Sequence, residues 1–258
     1  MYRRARMIVS GHQPCYLPWL GYFHKLSLCD TFVYMDTVQY LENDWNNRNK
    51  IRTPQGWHWL TVPLDRKKTQ GKKLSEIIIR GHDNPNMKDF WQKIHWRTIE
   101  VNYIKTPFFH LYQEELQSMY LDHVWSSLID LCWHQFILFS KWLGLDRKKV
   151  VRMSELTFEG EKDRLVLDHC LKLNGDHVVF GIHGRDYVNP SIFHEKGIKM
   201  YFQKYNHPTY KQRFKGFEPF MGIIDLLFNY GTDCFEILQS GNITYQELLN
   251  GGYWEVKE

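Results

Sequence analysis

The first forty residues alternate short apolar runs with one stretch of helical spacing. The apolar runs cover residues 7–10 and 31–35, and each suits a buried strand. Between them, Trp19, Phe23 and Leu26 recur at helical spacing after Pro18, and proline is favoured at the first position of a helix. Two strands joined by so short a helical crossover pair in parallel, so this pattern predicts the start of an α/β sheet.

The same pattern returns in the last third of the chain. A helical stretch at 164–173 precedes an apolar run at 177–180, and a short helical stretch around 192–195 precedes another run at 198–202. This order predicts a second strand–helix–strand unit in the same sheet, with 177–180 beside the two strands near the start of the chain.

Residues 86–144 show mostly helical spacing, and the last helix of this stretch is expected to begin at Asp122. Two further strands, at 56–64 and 74–79, are expected to pair as a hairpin around a polar loop. We therefore predict one α/β domain over residues 7–240, with a mainly parallel, Rossmann-like sheet and a mostly helical insertion at about 86–144.

Composition limits the classes of function. Hydrophobic residues make up 43% of the 258 residues and charged residues 24%, which excludes disorder as the main state. The net charge of +4 permits an anionic ligand without requiring nucleic acid, and we expect no nucleic acid partner. The five cysteines include no CxxC pair, and the histidines form no HxH, HxxH or HExxH string, so we expect neither a disulfide framework nor a metal site.

The chain is expected to be cytoplasmic and not inserted in a membrane. Its basic start is not followed by the apolar core of a signal peptide. The most apolar stretch, 128–145, contains Asp130, His134 and Lys141, which is typical of a buried amphipathic helix.

Polar residues follow the first two predicted strands where each strand ends. His12 lies in the loop after the first strand, and Asp36 ends the second. Open α/β sheets bind ligands at this edge, and free N–H groups at the start of the following helix favour an anion. We predict that His12 is a general acid or base oriented by Asp36, because the pKa of a histidine normally lies near neutrality. The alternative is that His12 only caps its loop. We assign substrate contacts to Gln13, Tyr16, Trp19 and Gln39.

A cluster of donors and positive charge comes shortly after the second strand. Its members suit a diphosphate or a sugar, and we assign substrate contacts to Asn46, Arg48, Asn49 and Lys50. The alternative is an ordinary polar surface loop.

A glycine-bearing loop at 181–187 follows the strand at 177–180. Its backbone can pass close to a ligand, although it lacks a nucleotide-binding glycine motif. We add Arg185, Asp186 and Tyr187 to the predicted binding residues.

The C-terminal region carries four further candidates. Asp225 and Asn229 stand four residues apart on one predicted helix and therefore share a face among apolar neighbours. A buried carboxylate needs partners, so these groups either brace the structure or close the same pocket as His12. We predict catalytic roles for His207 and Asp225, and substrate contacts from Tyr210 and Asn229.

Several strings resemble the WbqC-like protein family from residue 7 to about residue 240. They are HQPCYLPWLGYFHKLSLCDTFVYMDTVQY, WNNRNKIRTPQGWHWLTVP, YNHPTY and IIDLLFNYG. The resemblance implies a bacterial protein associated with O-antigen or other surface polysaccharides (lipopolysaccharide), and an acyl or aminoacyl transferase that acts on an amino sugar. The first strand, loop and helix are also similar to the nucleotidylyltransferase and pantothenate synthetase superfamily. The HxGH motif of that superfamily is here Trp19-Leu20-Gly21-Tyr22, without its histidines.

Three functions are open at this point. The first is a transferase that joins an acyl or aminoacyl group to a nucleotide-linked amino sugar, with His12 and Asp36 as the base and Asn49 or loop N–H groups on the oxyanion. The second is an ATP-dependent ligase or nucleotidyltransferase with Arg48 and Lys50 on the phosphates. The third is a non-catalytic carbohydrate-binding or assembly protein. The expected cofactor is ATP or an activated acyl or aminoacyl donor, and the expected partner is a small molecule, either a nucleotide-sugar or an amino acid.

Overall fold

The computed structural model describes residues 6–255, apart from the side chain of Arg66. Residues 1–5, the basic start of the chain, lie outside the described residues. The strands are β1 (Ile8–His12), β2 (Thr31–Tyr34), β3 (Arg48–Thr53), β4 (Gly56–Thr61), β5 (Lys149–Arg152), β6 (His177–Gly181) and β7 (Lys199–Gln203). The helices are α1 (Leu20–Ser27), α2 (Trp91–Tyr103), α3 (Phe109–Leu121), α4 (Leu128–Trp142), α5 (Lys162–Lys172), α6 (Pro190–His194), α7 (Ile223–Tyr230), α8 (Cys234–Gln239) and α9 (Tyr245–Asn250).

A five-stranded parallel sheet in the order β5-β2-β1-β6-β7 forms the centre of the fold. The predicted parallel pairing of the strands at 7–10, 31–35 and 177–180 is confirmed. Successive residues of β1 point to opposite faces of the sheet, so Ile8 packs in the cluster that contains α1 and Val9 packs in the cluster that contains α5 and α6. Because helices cover both faces, the central strands are continuous apolar runs.

The strand order reverses beside β1. The chain moves outward from β1 to β2 and β5, then returns to β6 on the other side of β1 and continues to β7. The Ser10 hydroxyl joins the two halves by donating to the Val179 carbonyl at 2.8 Å. Connections that leave two neighbouring parallel strands in opposite directions open a crevice at the carboxyl ends of those strands.

A separate two-stranded ribbon is formed by β3 and β4, which pair antiparallel. The predicted hairpin between 56–64 and 74–79 is therefore wrong. Leu74–Glu76 is a single 3-10 turn, and the rest of that run makes only isolated bridges, such as that between Leu64 and Ile79. The run is apolar because Leu74, Ile77 and Ile79 are buried in the core, not because it forms a strand.

The stretch 86–144 contains α2, α3 and α4. The expected helix start at Asp122 is wrong, because Asp122 ends α3, and α4 is capped by the Ser127 side chain, which accepts from the Asp130 N–H. Pro18 was expected at the first position of a helix, but it lies one residue before the cap of α1, which is Trp19. No helix between residues 6 and 255 is long and apolar enough to cross a membrane.

We expect Gly11→Ala to lower the free energy of unfolding by about 1–3 kcal/mol. A β-carbon at position 11 would lie 2.9 Å from the Val33 carbonyl oxygen and 3.2 Å from the Val33 Cβ, within the β1–β2 pair. Urea unfolding measures the change. Gly181→Ala is the matched control, because nothing lies within 4 Å of a β-carbon there. A Gly11 variant as stable as the native protein would contradict the packing argument.

Candidate functional site

The carboxyl ends of β1, β2 and β6 open into a cavity of about 890 Å³. The β1 and β6 ends contribute Ser10, Gly11, Phe180 and Gly181 to its wall. The first half of α5 and the loops around 37–41 and 71–73 complete it. The cavity thus lies at the edge, and beside the strand reversal, where parallel α/β sheets bind ligands.

Lys25 is a buried lysine in this wall. It belongs to the last turn of α1, is only 6% exposed, and donates from Nζ to the Gly11 carbonyl at 2.8 Å. An ammonium group has three donors, and Lys25 enters no ion pair in the part of the chain that the structure describes. Burial lowers the pKa of Lys25 to about 8, and Cys29 opposes this slightly. A bound anion is the natural partner for this charge.

The remaining charges of the cavity also favour an anion. Lys73 and Lys162 line it with Lys25, against the single carboxylate of Glu161. The amino-terminal end of α5 reaches the wall at Lys162, and the dipole of a helix makes that end electropositive.

Gly181 borders open space in the cavity. Its backbone angles, φ −74° and ψ 167°, suit any residue, and a β-carbon there would meet nothing within 4 Å. By contrast, a β-carbon on nearby Gly184 would lie 2.8 Å from the Phe180 side chain. Neither backbone geometry nor packing therefore requires glycine at position 181, which lines the cavity.

His169 on α5 supplies a polar atom without a partner. The side chain is 1% exposed, stacks edge-on against Phe158 at 4.5 Å, and lines the cavity. Its Nε2 makes no hydrogen bond within residues 6–255. Burial lowers the pKa of His169 to about 4, although Asp168 opposes the shift, so the ring is neutral at physiological pH.

The predicted pair of His12 and Asp36 does not form, and this prediction is wrong. Asp36 is fully buried and accepts from Arg152 Nε at 3.0 Å, Ser154 N–H at 2.8 Å and the Ser154 hydroxyl at 2.6 Å. These contacts brace the segment after β5, because a buried carboxylate has to find donors.

His12 lies at the end of β1 between two aromatic rings. Its ring is 5.4 Å from Trp19 and 4.8 Å from Tyr22, and its Nδ1 is 2.9 Å from the Gln13 carbonyl oxygen. Burial, together with the nearby Lys25 charge, lowers the pKa of His12 to about 3. The expected pKa near neutrality is therefore corrected, and His12 is a neutral imidazole.

Three of the predicted binding residues hold the loop after β1. The Asn46 amide donates to the Pro14 carbonyl at 2.8 Å, and the Asn49 amide donates to the Leu17 carbonyl. Tyr16 is buried and is hydrogen-bonded through its hydroxyl to His95 and Tyr120. The Asn49 amide is occupied, so its predicted contact with an oxyanion is not supported by this arrangement.

Arg48 and Lys50 lie on β3 and not in a surface loop. The Arg48 guanidinium is 4.7 Å from the centre of the Trp59 ring, and Lys50 Nζ is 4.3 Å from that of Trp57. Neither residue lines the cavity at the sheet edge.

Of the three residues predicted in the loop after β6, one lines the cavity and two do not. Tyr187 lines the cavity, as do Gln13 and Gln39. Arg185 and Asp186 are exposed, and they pair with Glu255 and His183.

The C-terminal candidates meet at Asp225, which is fully buried. Its Oδ1 accepts from the Tyr103 hydroxyl at 2.9 Å, and its Oδ2 accepts from the Tyr210 hydroxyl at 2.8 Å and from Gln212 Nε2 at 2.9 Å. Burial raises the pKa of Asp225, while these donors oppose the shift. The Asn229 amide donates to the backbone carbonyl of Asp225. The arrangement supports the bracing alternative for Asp225.

His207 stacks on Tyr210 of this network, with ring centres 6.2 Å apart, but makes its own hydrogen bonds elsewhere. Its Nδ1 is 2.9 Å from the Pro208 carbonyl oxygen, and its Nε2 accepts from the Phe220 N–H at 3.2 Å. Burial lowers the pKa of His207.

Sequence reasoning missed Lys25 and His169. For Lys25 the available signal was a charged residue inside a mostly apolar helix, since α1 is buried on all sides. For His169 the signal was its position four residues after Leu165, on the buried face of α5.

We expect Asp225→Asn to lower the free energy of unfolding by about 2–4 kcal/mol. An asparagine side chain has an NH₂ group in place of one of the two carboxylate oxygens. That NH₂ group would point its hydrogens at hydroxyl or amide groups that now donate to Asp225, so at least one of these hydrogen bonds would be lost. Thermal and urea unfolding measure the loss. Asp186→Asn is the matched control, because that side chain is 74% exposed. If Asp225→Asn leaves stability unchanged but removes activity, Asp225 belongs to the catalytic machinery.

Comparison with known proteins identifies the family. The model of the WbqC-like protein family matches residues 13–237. An uncharacterized protein of Mycobacterium tuberculosis is 33% identical over 228 residues, which cover 88% of this chain and 95% of the relative. No solved structure matches the chain. With nearly the whole α/β fold inside the matched region, the chain belongs to the WbqC-like protein family.

Proposed function

We propose that this protein is a transferase that moves an acyl or aminoacyl group onto a nucleotide-linked amino sugar in bacterial surface polysaccharide biosynthesis. The observation that carries the proposal is the buried, unpaired charge of Lys25 in a cavity at the strand reversal. That charge matches a phosphate group of the nucleotide-sugar.

The topology supports this choice of ligand. Counted within the parallel sheet alone, the strand order is 3-2-1-4-5, which is also the order of the first five strands in dinucleotide-binding doubly-wound folds. The volume of about 890 Å³ lies near the upper end of small-molecule sites. A nucleotide-sugar therefore fits, with the diphosphate near Lys25, Lys73 and Lys162.

The chemistry needs an amine, an activated carbonyl and a proton acceptor. The amine nitrogen bonds to the carbonyl carbon, the leaving group of the donor departs, and the amine proton passes to a base. Neutral His169 lines the cavity and has an unpartnered, buried Nε2, and an anionic substrate nearby would raise the pKa of its ring toward a useful range. We therefore assign the role of base to His169 in place of His12.

The cytoplasm is the expected compartment for this reaction. The five cysteines are free and buried, which suits a reducing environment.

We expect Lys25→Met to weaken binding of a UDP-linked amino sugar by roughly tenfold or more, because a charge-assisted contact to phosphate is lost. Isothermal titration calorimetry measures this. Affinity of the native protein should fall between about pH 7 and about pH 9, because the Lys25 ammonium that favours an anion is lost as the pH rises through its pKa of about 8. The Met variant should lack this part of the pH dependence.

Lys148→Met is the matched control. Lys148 is also partly buried and also donates to backbone carbonyls, those of Ser27 and Cys29, but it does not line the cavity. Its loss should lower stability and leave affinity unchanged. Equal affinities of the Lys25 variant and the native protein would reject the proposal.

We expect Gly181→Leu to abolish nucleotide-sugar binding with little change in stability. The leucine fills cavity space that no protein atom occupies, on a backbone that tolerates any residue. Gly252→Leu is the matched control, since that glycine also has open space around it and lies outside the cavity. Normal binding by the Gly181 variant would show that the ligand lies elsewhere.

A further inference from the structure

One face of the β3–β4 ribbon combines tryptophans with positive charge. Lys50 is paired across the ribbon with Trp59, and Lys50 Nζ lies over both Trp57 and Trp59, at 4.3 and 5.4 Å. Arg48 lies over Trp59, and the Trp57 side chain is 45% exposed. The opposite face, with Ile51 and Leu60, is buried in the core. Trp59 is half-buried and packs on Trp45, whereas the exposed ring of Trp57 is not needed to hold the ribbon to the core.

A second cavity, of about 300 Å³, adjoins this face. Arg48 and Arg80 line it together with one acidic side chain, that of Glu42. The Arg48 Nε–H is buried and has no hydrogen-bond partner among residues 6–255. Neither arginine forms an ion pair within this part of the chain. The lining of the cavity thus carries a net positive charge.

This cavity is distinct from the one at the sheet edge, and a single chain segment separates the two. Tyr40 and Glu42 line the smaller cavity, while Gln39 and Leu41 line the larger. Residues 39–42 therefore contribute to the walls of both cavities.

We propose that the small cavity and the adjoining tryptophans form a second ligand site for an anionic sugar, that is, a monosaccharide unit that carries a carboxylate or a phosphate. Arg48 Nη2 donates to the Asn43 carbonyl, and the other N–H groups of its guanidinium, with the charge of Arg80, suit such an anion. The apolar C–H face of a pyranose ring is complementary to an exposed indole, and Trp57, on the same face of the ribbon as Arg48, supplies that surface. The volume of about 300 Å³ is at the lower end of small-molecule sites, which suits one sugar unit.

Calorimetric titration with sodium glucuronate, glucose 1-phosphate and neutral glucose tests the site in the full chain. We expect saturable binding of the two anionic sugars, and binding of glucose that is weaker by about tenfold or more. Oligogalacturonate identifies the source of the ligand. If it binds more tightly than glucuronate, the ligand is part of a glycan chain, and if the two bind equally, the ligand is a free sugar acid or sugar phosphate. Both results support the site. No saturable binding, or equal binding of glucose, would overturn it.

Variants with matched controls locate the binding. Arg80→Gln and Trp57→Ala alter exposed side chains and should each weaken glucuronate binding by about threefold to tenfold. Arg97→Gln and Tyr253→Ala alter an exposed arginine and an exposed aromatic ring elsewhere, and should leave it unchanged. None of these changes should affect nucleotide-sugar binding, so this test is independent of the Lys25 test. If a single-stranded oligonucleotide binds more tightly than the sugars, and Trp57→Ala removes that binding, the sugar site is refuted in favour of a nucleic acid surface.

Discussion

The central position of β1 is the constraint on which the rest of the fold depends. This strand pairs in parallel with β2 on one side and with β6 on the other. Its penultimate residue, Gly11, has no room for a β-carbon against the neighbouring strand, and the Gly11 carbonyl accepts from the buried Lys25 ammonium. The close approach of the strands, the strand reversal and the charge in the cavity therefore meet within two residues of β1.

Buried polar side chains hold the irregular parts of the chain around this centre. Asp36 fixes the segment after β5, Asn46 and Asn49 fix the loop after β1, and Asp225 joins α2 to the segment before α7. Loops that cross a protein interior expose backbone groups that need partners, and asparagine and aspartate supply those partners. Several residues whose type suggested catalysis thus have their hydrogen-bonding capacity occupied by the fold.

The sheet could be predicted from the sequence because parallel strands buried on both faces leave continuous apolar runs. The ligand-binding edge followed from the same pattern, and Gln13, Gln39 and Tyr187 do line its cavity. The expected strand at 56–64 is present as β4, but its partner β3 could not be predicted. β3 is rich in asparagine and basic residues, and contacts between cations and rings replace the usual apolar alternation on one face. Lys25 was missed for a related reason: helical periodicity assigns a lysine to the solvent side, and α1 has no solvent side.

The shared wall between the two cavities has an energetic consequence. Residues 39–42 face the larger cavity with two side chains and the smaller one with the other two, so any ligand that shifts this backbone changes both cavities at once. Thermodynamic linkage makes such an effect reciprocal: if an occupant of one cavity strengthens or weakens binding in the other by some factor, the second occupant changes the affinity of the first by the same factor.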